Sequence, residues 1–188
     1  MQEDADDGEE DAELNENDKN YEPEVSEEEE KPYKKVITTE LVDSWCHSIE
    51  ENGKLAALRS LMKAFRTACH YGDDNGDDSS IKFSTMSSNV FNKIMLFVLS
   101  KMDGILRKFL KLPSSGGKKE TIQELMTTKQ WKSFNHIVKS YLGNALHILN
   151  QMTDTEMISF TLRRLKYSSV FLVAFPSLQR KFIKVFPT

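Results

Sequence analysis

The stretch from residue 129 to residue 184 constrains the fold more than any other part of this chain. It is strongly apolar, it is compatible with helix almost throughout, and it carries no recognisable catalytic group. Within it, Thr153 is followed three residues later by Glu156, a pattern typical of a helix start that Thr153 caps. Segments of this kind pack helix against helix, so the stretch predicts a scaffold rather than an active site.

Helical periodicity also covers most of the chain that precedes this stretch. Apolar spacing and end signals predict helices from Thr38 or Thr39 to Gly53 and over 54–70, 90–112, 121–126, 129–151 and 154–175, with a last helix from Ser177. The short break at Gly53 predicts an antiparallel hairpin of the first two helices. No strand-like alternation competes, so the fold class is all-α.

Wide apolar faces on successive helices are typical of a bundle or an α-solenoid. No repeat is visible at the level of residue identity, but a degenerate repeat of the HEAT or armadillo kind fits the pattern. We therefore predict helical hairpins of an α-solenoid, preceded by a disordered acidic tail.

Charge divides the chain sharply. Residues 1–30 hold 16 acidic residues and one lysine, whereas residues 31–188 hold 24 lysines and arginines and 13 acidic residues. An acidic segment with few apolar residues cannot bury enough surface to offset the entropy of ordering it. The division predicts a disordered tail over residues 1–34 and a helical-repeat domain over residues 35–188.

Few features of the sequence indicate the cellular compartment of the protein, and they agree with one another. The two cysteines, Cys46 and Cys69, fall within helical patterns rather than in a disulfide framework, which suits a reducing compartment. The chain has no apolar run of the length that a membrane span needs, and its acidic N-terminus does not resemble a signal peptide. These features predict a cytosolic or nuclear protein that has no membrane partner.

Two Cys-His dipeptides, at residues 46–47 and 69–70, raise the possibility of a zinc site. Neighbouring residues on a helix point about 100° apart, so the four side chains rarely converge on one ion. We expect the cysteines to lie in or beside the core and the histidines to face outward.

Two polar loops resemble ligand-binding loops but fail on spacing. In an EF-hand counted from Asp73, Asp78 stands where glycine is needed and Ser84 where glutamate is needed. The segment 114–119 lacks the first glycine and the following Ser or Thr of a phosphate-binding loop. We therefore expect no metal, no cofactor and no small-molecule substrate.

Ser26 is a candidate phosphorylation site. It precedes four glutamates at residues 27–30, the type of site that an acid-directed kinase of the casein kinase 2 kind recognises. Phosphate would add about −1.5 to −2 charges to this segment. An unmodified tail is the open alternative.

Basic residues dominate the second half of the chain. Beyond residue 81 there are 17 lysines and arginines and five acidic residues. Such an excess is typical of a surface that binds RNA phosphate, although lysines and arginines also simply solvate helix faces, and the chain has no compact RNA-binding motif. The candidate contact residues are Lys118, Lys119, Arg163, Arg164, Lys166, Arg180, Lys181 and Lys184.

Six collinear segments resemble the nucleolar complex protein 2 family. They read VDSWC, LRSLMKAFRTACHYGDD, FNKIM, MDGILRK, VKSYLGNALHILNQM and FTLRRLKYSSVFLVAFPSLQRKFIK, and the resemblance covers about residues 36–186. It implies a helical-repeat scaffold of the nucleolus and nucleoplasm without catalytic residues. It also implies action on precursors of the large (60S) ribosomal subunit, in their maturation and intranuclear transport, together with nucleolar complex proteins 1 and 3.

The family's helical region continues beyond the position that matches residue 186. The resemblance therefore implies that this chain is cut within a longer solenoid, which would leave an exposed apolar edge on its last helix.

These observations leave two functions from different classes. The first is a non-catalytic assembly factor for the large ribosomal subunit that contacts pre-60S particles and rRNA. The alternative is a nuclear chromatin regulator of transcription that binds histones or other basic proteins through the acidic tail. An enzyme is not expected, because no nucleophile–base pair or metal-ligand spacing is present.

Overall fold

A computed structural model describes residues 36–71, 86–113 and 122–185. Within these ranges the backbone forms seven α-helices and one 3-10 helix and contains no strand, which confirms the all-helical prediction. The elements are α1 (Thr39–Asn52), α2 (Leu55–Cys69), α3 (Ser88–Leu110), α4 (Ile122–Thr127), α5 (Lys129–Gln151), α6 (Thr155–Ser168), the 3-10 helix (Ser169–Ala174) and α7 (Pro176–Val185).

Several sequence predictions lie outside the described residues. They concern the acidic tail over residues 1–34, the phosphorylation site at Ser26, the calcium-like loop, and the loop that contains Lys118 and Lys119. They stay predictions.

Side-chain caps mark where α1, α3, α5 and α6 begin. The oxygens of Thr38, Ser87 and Thr128 each accept a hydrogen bond from the backbone N–H three residues later, and so begin α1, α3 and α5. Each bond satisfies a backbone donor that has no partner within the helix. The predicted starts of these helices were therefore correct to within two residues.

The predicted cap of α6 was wrong. Asp154, not Thr153, caps this helix, and its Oδ1 accepts a hydrogen bond from the Met157 N–H at 2.7 Å. A carboxylate at this position accepts a charge-assisted bond and faces the positive end of the helix dipole. Glu156 consequently lies one residue too early to complete the predicted capping box.

The helices form two layers. In the first layer α1 packs beside α3 and α3 packs beside α6; in the second, α2 packs beside α5 and α5 beside α7. The pairs α1/α2 and α3/α5 contact each other across the layers, and α4 packs against α5 and the 3-10 helix. The described helices thus pack in two layers, and the α-solenoid of the HEAT or armadillo type stays a prediction.

The core lies between the two layers. Helix α3 contacts α1, α2, α5 and α6, which explains why apolar residues occur on more than one of its sides. None of the helices within the described ranges is long and apolar enough to cross a membrane. The largest fully buried side chains are Tyr141, Phe65, Phe171, Leu58, Leu61, Ile94, Met102, Leu106, Leu142, Leu165, Val42 and Val90.

The α-helix predicted for residues 154–175 ends seven residues early. The backbone changes at Ser169 to a 3-10 helix, which buries Phe171 and Leu172 next to each other. Two carbonyls of the last α-helical turn accept side-chain bonds: that of Tyr167 from Arg107 Nη2 at 3.0 Å and that of Lys166 from Ser169 Oγ at 2.7 Å. These bonds compete with the continuing α-helical ladder, so a tertiary bond from α3 and a local bond from Ser169 together mark where α6 ends.

Two glycines are expected to respond in opposite directions to alanine. Gly53, after the end of α1, has a φ of 58°, where a Cβ is strained, so Gly53→Ala should lower the free energy of unfolding by about 1 kcal/mol. Gly104 lies in the exposed interior of α3, and a Cβ there would meet no atom within 4 Å. Gly104→Ala should therefore stabilise by about 0.5–1 kcal/mol. Urea unfolding measures both; shifts of the same sign would contradict these assignments.

Candidate nucleic-acid interface

Helix α6 presents three of the predicted basic residues on its outer side. Its inner side buries Thr161, Leu165 and Ser168 at helical spacing against the core. This burial orients the remaining positions outward, and the exposed basic residues among them are Arg163, Arg164 and Lys166.

The Arg163 guanidinium is held against its own helix. Its Nε donates to the Ser159 carbonyl at 3.2 Å, and its Nη2 donates to Ser159 Oγ at 3.1 Å. A guanidinium has five N–H donors, so others stay available to an external acceptor. Arg163 is thus a positioned cation rather than a freely moving one.

Arg164 lies over an aromatic ring. Its Cζ is 5.4 Å from the centroid of the half-buried Phe160 ring, within the range of a cation–π contact. Tyr167 follows less than one turn later and exposes 50% of its surface. The outer side of α6 therefore combines positive charge with aromatic surface.

A shallow depression lies beside this aromatic surface, between α3 and the start of α6. Its apolar part includes Leu96 of α3, which is 53% exposed, and Met157 of α6, which is 37% exposed. The Asp154 carboxylate at its edge already accepts the capping hydrogen bond from the Met157 N–H. The full lining is Leu96, Asp154, Thr155, Glu156, Met157, Ser159, Phe160 and Arg163.

Helix α7 carries a second basic set. It buries Leu178 and half-buries Phe182, while Ile183 stays 62% exposed. Three basic residues share the exposed part of this helix: Arg180, Lys181 and Lys184.

The two basic sets are separate groups on neighbouring helices. Both α6 and α7 pack on α5, and no hydrogen bond or ion pair joins the two sets among the residues that the structure describes. Nor do any of these six side chains form an ion pair with a described acidic residue. They contrast with Lys93 and Lys101, which pair with Asp43 and Glu50 of α1.

A buried polar network fixes the end of α6 on α3. Asp103 accepts bonds from Arg107 Nε at 2.9 Å and from Ser168 Oγ at 3.1 Å. Arg107, which is 4% exposed, also donates to the carbonyls of Pro113 and Tyr167. These bonds connect the carbonyl end of α6 directly to α3 and hold the outer side of α6 in place.

A buried phenol lies next to this network. Burial, with the Asp103 charge adding to it, raises the pKa of Tyr141 to about 12. The phenol therefore stays neutral at physiological pH.

The cysteines and histidines contribute to packing. Cys69 is buried and Cys46 is half-buried. Burial, assisted by the acidic residues Asp43 and Glu50, raises the pKa of Cys46 to about 11, and burial also raises the pKa of Cys69. Both thiols are consequently protonated at neutral pH.

The two histidines of the Cys-His dipeptides, His47 and His70, are exposed as predicted, and His70 also contacts α5. His70 is exposed, but its ring stacks on that of His147 with centroids 4.0 Å apart, and its Nε2 lies 3.0 Å from Asn144 Oδ1. The pair therefore joins α2 to α5. Within the described ranges, no three His, Cys, Asp or Glu side chains are grouped so as to hold a metal ion.

Individual relatives of known sequence show the family of this chain, although no family model matches it. It is 68% identical over 152 residues to the nucleolar complex-associated protein 2 of Arabidopsis thaliana, covering 80% of this chain and 20% of that relative. It is also 26% identical over 151 residues to an uncharacterized NOC2 family protein of Schizosaccharomyces pombe. The chain belongs to the nucleolar complex protein 2 family.

A third relative in the comparison extends this result. The chain is 36% identical over 153 residues to protein REBELOTE of Arabidopsis thaliana and covers 26% of its length. This chain thus spans between a fifth and about a quarter of the length of the curated relatives that it matches.

The structure brings together only part of the predicted site and adds residues that the sequence analysis missed. Arg163, Arg164 and Lys166 share the outer side of α6, whereas Lys118 and Lys119 lie outside the described ranges. The missed residues are Leu96, Met157, Phe160 and Tyr167. The seven-residue spacing of Phe160 and Tyr167, with two arginines between them, is the sequence signal that would have indicated an aromatic and basic helix face.

Proposed function

We propose that this member of the nucleolar complex protein 2 family is a non-catalytic scaffold in ribosome biogenesis. It acts in the nucleus and nucleolus on precursors of the large subunit and assists their maturation and transport through the nucleoplasm. The observation that carries the proposal is the 68% identity over 152 residues to a relative named as a nucleolar complex-associated protein. Because this chain spans a fifth of that relative, the role of the whole protein is itself part of the proposal.

The arrangement of charge supports contact with rRNA. Six basic side chains on α6 and α7 are exposed and form no ion pair with a described acidic residue. Binding of RNA phosphate by such side chains releases condensed counterions, which makes the affinity strong at low salt and weak at high salt. We infer that this surface contributes the electrostatic part of RNA binding.

Protein partners are the second part of the proposal. Nucleolar complex proteins 1 and 3 are the partners that the family resemblance implies, and exposed apolar side chains such as Val173 and Ile183 are available for packing. The raised pKa values of Cys46 and Cys69 keep both thiols protonated, so neither is an activated nucleophile.

Purification from cells tests the proposal. The tagged protein is isolated from nuclear extract, and the RNA and proteins that accompany it are identified. We expect precursors of large-subunit rRNA together with nucleolar complex protein 1 or 3. Recovery of histones without any pre-ribosomal component would contradict the proposal and favour the chromatin alternative.

A matched pair of charge variants tests the location of RNA contact. Replacing Arg163, Arg164 and Lys166 by glutamine should weaken RNA binding by more than about tenfold at 0.1 M salt and reduce the salt dependence, because up to three phosphate contacts are lost. The control makes the same charge change on the exposed side of α2 at Arg59, Lys63 and Arg66. Filter binding at several salt concentrations measures both, and equal losses would contradict a specific role for α6.

A further inference from the structure

We propose that the outer face of α6 binds single-stranded RNA by stacking on unpaired bases. The face consists of Phe160, Arg163, Arg164 and Tyr167, and we call it the α6 stacking face. The proposal rests on the RNA binding proposed above and specifies the class of RNA that this site takes: unpaired nucleotides rather than a duplex.

The spacing of its residues gives α6 a continuous flat surface. Phe160, Arg164 and Tyr167 are four and three residues apart, so their side chains follow one another along one side of the helix. The Arg164 guanidinium already lies over the Phe160 ring, with its Cζ 5.4 Å from the ring centroid. Unpaired RNA bases stack both on aromatic rings and on guanidinium planes. The half-exposed Tyr167 ring extends this surface by one further position.

Hydrogen bonds hold the face in position before any ligand arrives. Arg163 is tied to Ser159 by two bonds, and the Tyr167 carbonyl is tied to Arg107. The next residue, Ser168, donates to Asp103 of α3. These bonds order the Arg163 side chain and the backbone of the last turn in advance, so less conformational entropy is lost on binding.

The depression next to the stacking face provides a place for a base turned out of the strand. Leu96 and Met157 supply exposed apolar contact beside the Phe160 ring, and Arg163 lies at the same depression. The exposed Glu156 carboxylate on this side repels phosphate, whereas it can accept a bond from a base amino group. The charge distribution therefore directs bases toward the depression and the phosphate backbone toward the arginines.

Charge complementarity, together with the adjacent rings, favours a nucleic-acid strand as the occupant. The basic side chains on the exposed sides of α6 and α7 form no ion pair with any acidic residue in the described ranges, and an RNA strand supplies a regular series of negative charges. A duplex keeps its bases stacked internally, so it cannot use the rings. Stacking contributes about 1–3 kcal/mol per base to single-strand binding, which gives a preference for unpaired RNA.

Fluorescence anisotropy with two labelled RNAs tests the proposal on the 188-residue chain. The probes are an unstructured single-stranded dodecamer and a blunt duplex of the same base composition, both at 0.1 M salt. The variant Arg164→Lys keeps the charge and removes the planar group, and Tyr167→Ala removes the second aromatic ring. The matched controls are Arg59→Lys on the exposed side of α2 and Tyr71→Ala beyond the end of α2; Tyr71 is 62% exposed.

We expect the unaltered chain to bind the single strand at least tenfold more tightly than the duplex. Each α6 variant should weaken single-strand binding about tenfold and change duplex binding less than twofold, while the two controls change both less than twofold. Unaltered melting temperatures check that the variants fold; if Tyr167→Ala does not fold, Tyr167→Leu keeps the apolar volume and replaces it.

The outcomes separate this proposal from the one on which it rests. If the chain binds RNA but the α6 variants weaken both probes equally or neither probe, the stacking face is wrong while RNA binding stands. If the chain binds neither RNA even at 50 mM salt, both proposals are contradicted. If the α6 variants instead reduce recovery of a protein partner without any effect on RNA, the face is a protein interface and the stacking proposal is overturned.

Discussion

Replacing Arg107 with alanine is expected to lower the free energy of unfolding by about 3–5 kcal/mol. The guanidinium is 4% exposed and donates to Asp103, to the Pro113 carbonyl and to the Tyr167 carbonyl. It also lies over the Phe171 ring, with its Cζ 5.6 Å from the centroid. Its removal leaves the Asp103 carboxylate without its cation and two carbonyls without this donor. The free-energy cost of leaving these groups unpaired exceeds the net stabilisation that the ion pair itself contributes.

Lys108→Ala is the control for this experiment. Lys108 is the next residue of α3 and is exposed, so its replacement should change the free energy of unfolding by less than about 0.5 kcal/mol. Urea unfolding followed by circular dichroism measures both variants. A loss of less than about 1 kcal/mol for Arg107→Ala would show that the polar network does not hold α6 on α3.

Phe171→Ala is expected to cost about 3–5 kcal/mol of unfolding free energy. The Phe171 side chain is fully buried in the 3-10 helix, and its ring is stacked 6.3 Å from that of Trp131 between centroids. Alanine would remove a large apolar side chain, leave a cavity between α5 and the 3-10 helix, and abolish the contact with Arg107.

Val173→Ala is the matched control, because Val173 lies in the same 3-10 helix and is 57% exposed. It should change the free energy of unfolding by less than about 0.5 kcal/mol. Since Phe171 touches Arg107, the double variant should cost less than the two single losses added together. Strict additivity would contradict the contact between these two side chains.

The helices of the two layers could be predicted from the sequence because local signals determine them. Thr38, Ser87 and Thr128 are strong caps, and Gly53 supplies the left-handed residue that ends α1. Apolar residues at helical spacing then mark the buried side of each helix. These signals act over a few residues, so they can be recognised without the folded structure.

The end of α6 could not be predicted because a distant residue contributes to it. The local bond from Ser169 Oγ to the Lys166 carbonyl also acts there, but the sequence gives no helix stop before Pro176, which predicts an end at the residue before it. The bond from Arg107 to the Tyr167 carbonyl joins residues 60 positions apart. An Asp103–Arg107 pair four residues apart also has the spacing of an ordinary surface ion pair, so the sequence does not reveal that the pair is buried.

The candidate interface was predictable in its charge but not in its shape. Basic residues are visible in any sequence, and three of them do share the outer side of α6. Which aromatic residues remain accessible depends on packing: Phe171 is buried, whereas Tyr167, four residues earlier, is half-exposed. The depression requires Leu96, which comes from α3 and lies about 60 residues from the start of α6.

Ultraviolet crosslinking in living cells tests the central claim most directly. The protein is crosslinked and purified, the attached RNA is sequenced, and the modified peptides are mapped by mass spectrometry. The proposed function predicts sequences from large-subunit precursor rRNA, with adducts on the peptide that contains Phe160, Arg164 and Tyr167. Recovery of no RNA above an uncrosslinked control, or of RNA without precursor rRNA, would contradict it.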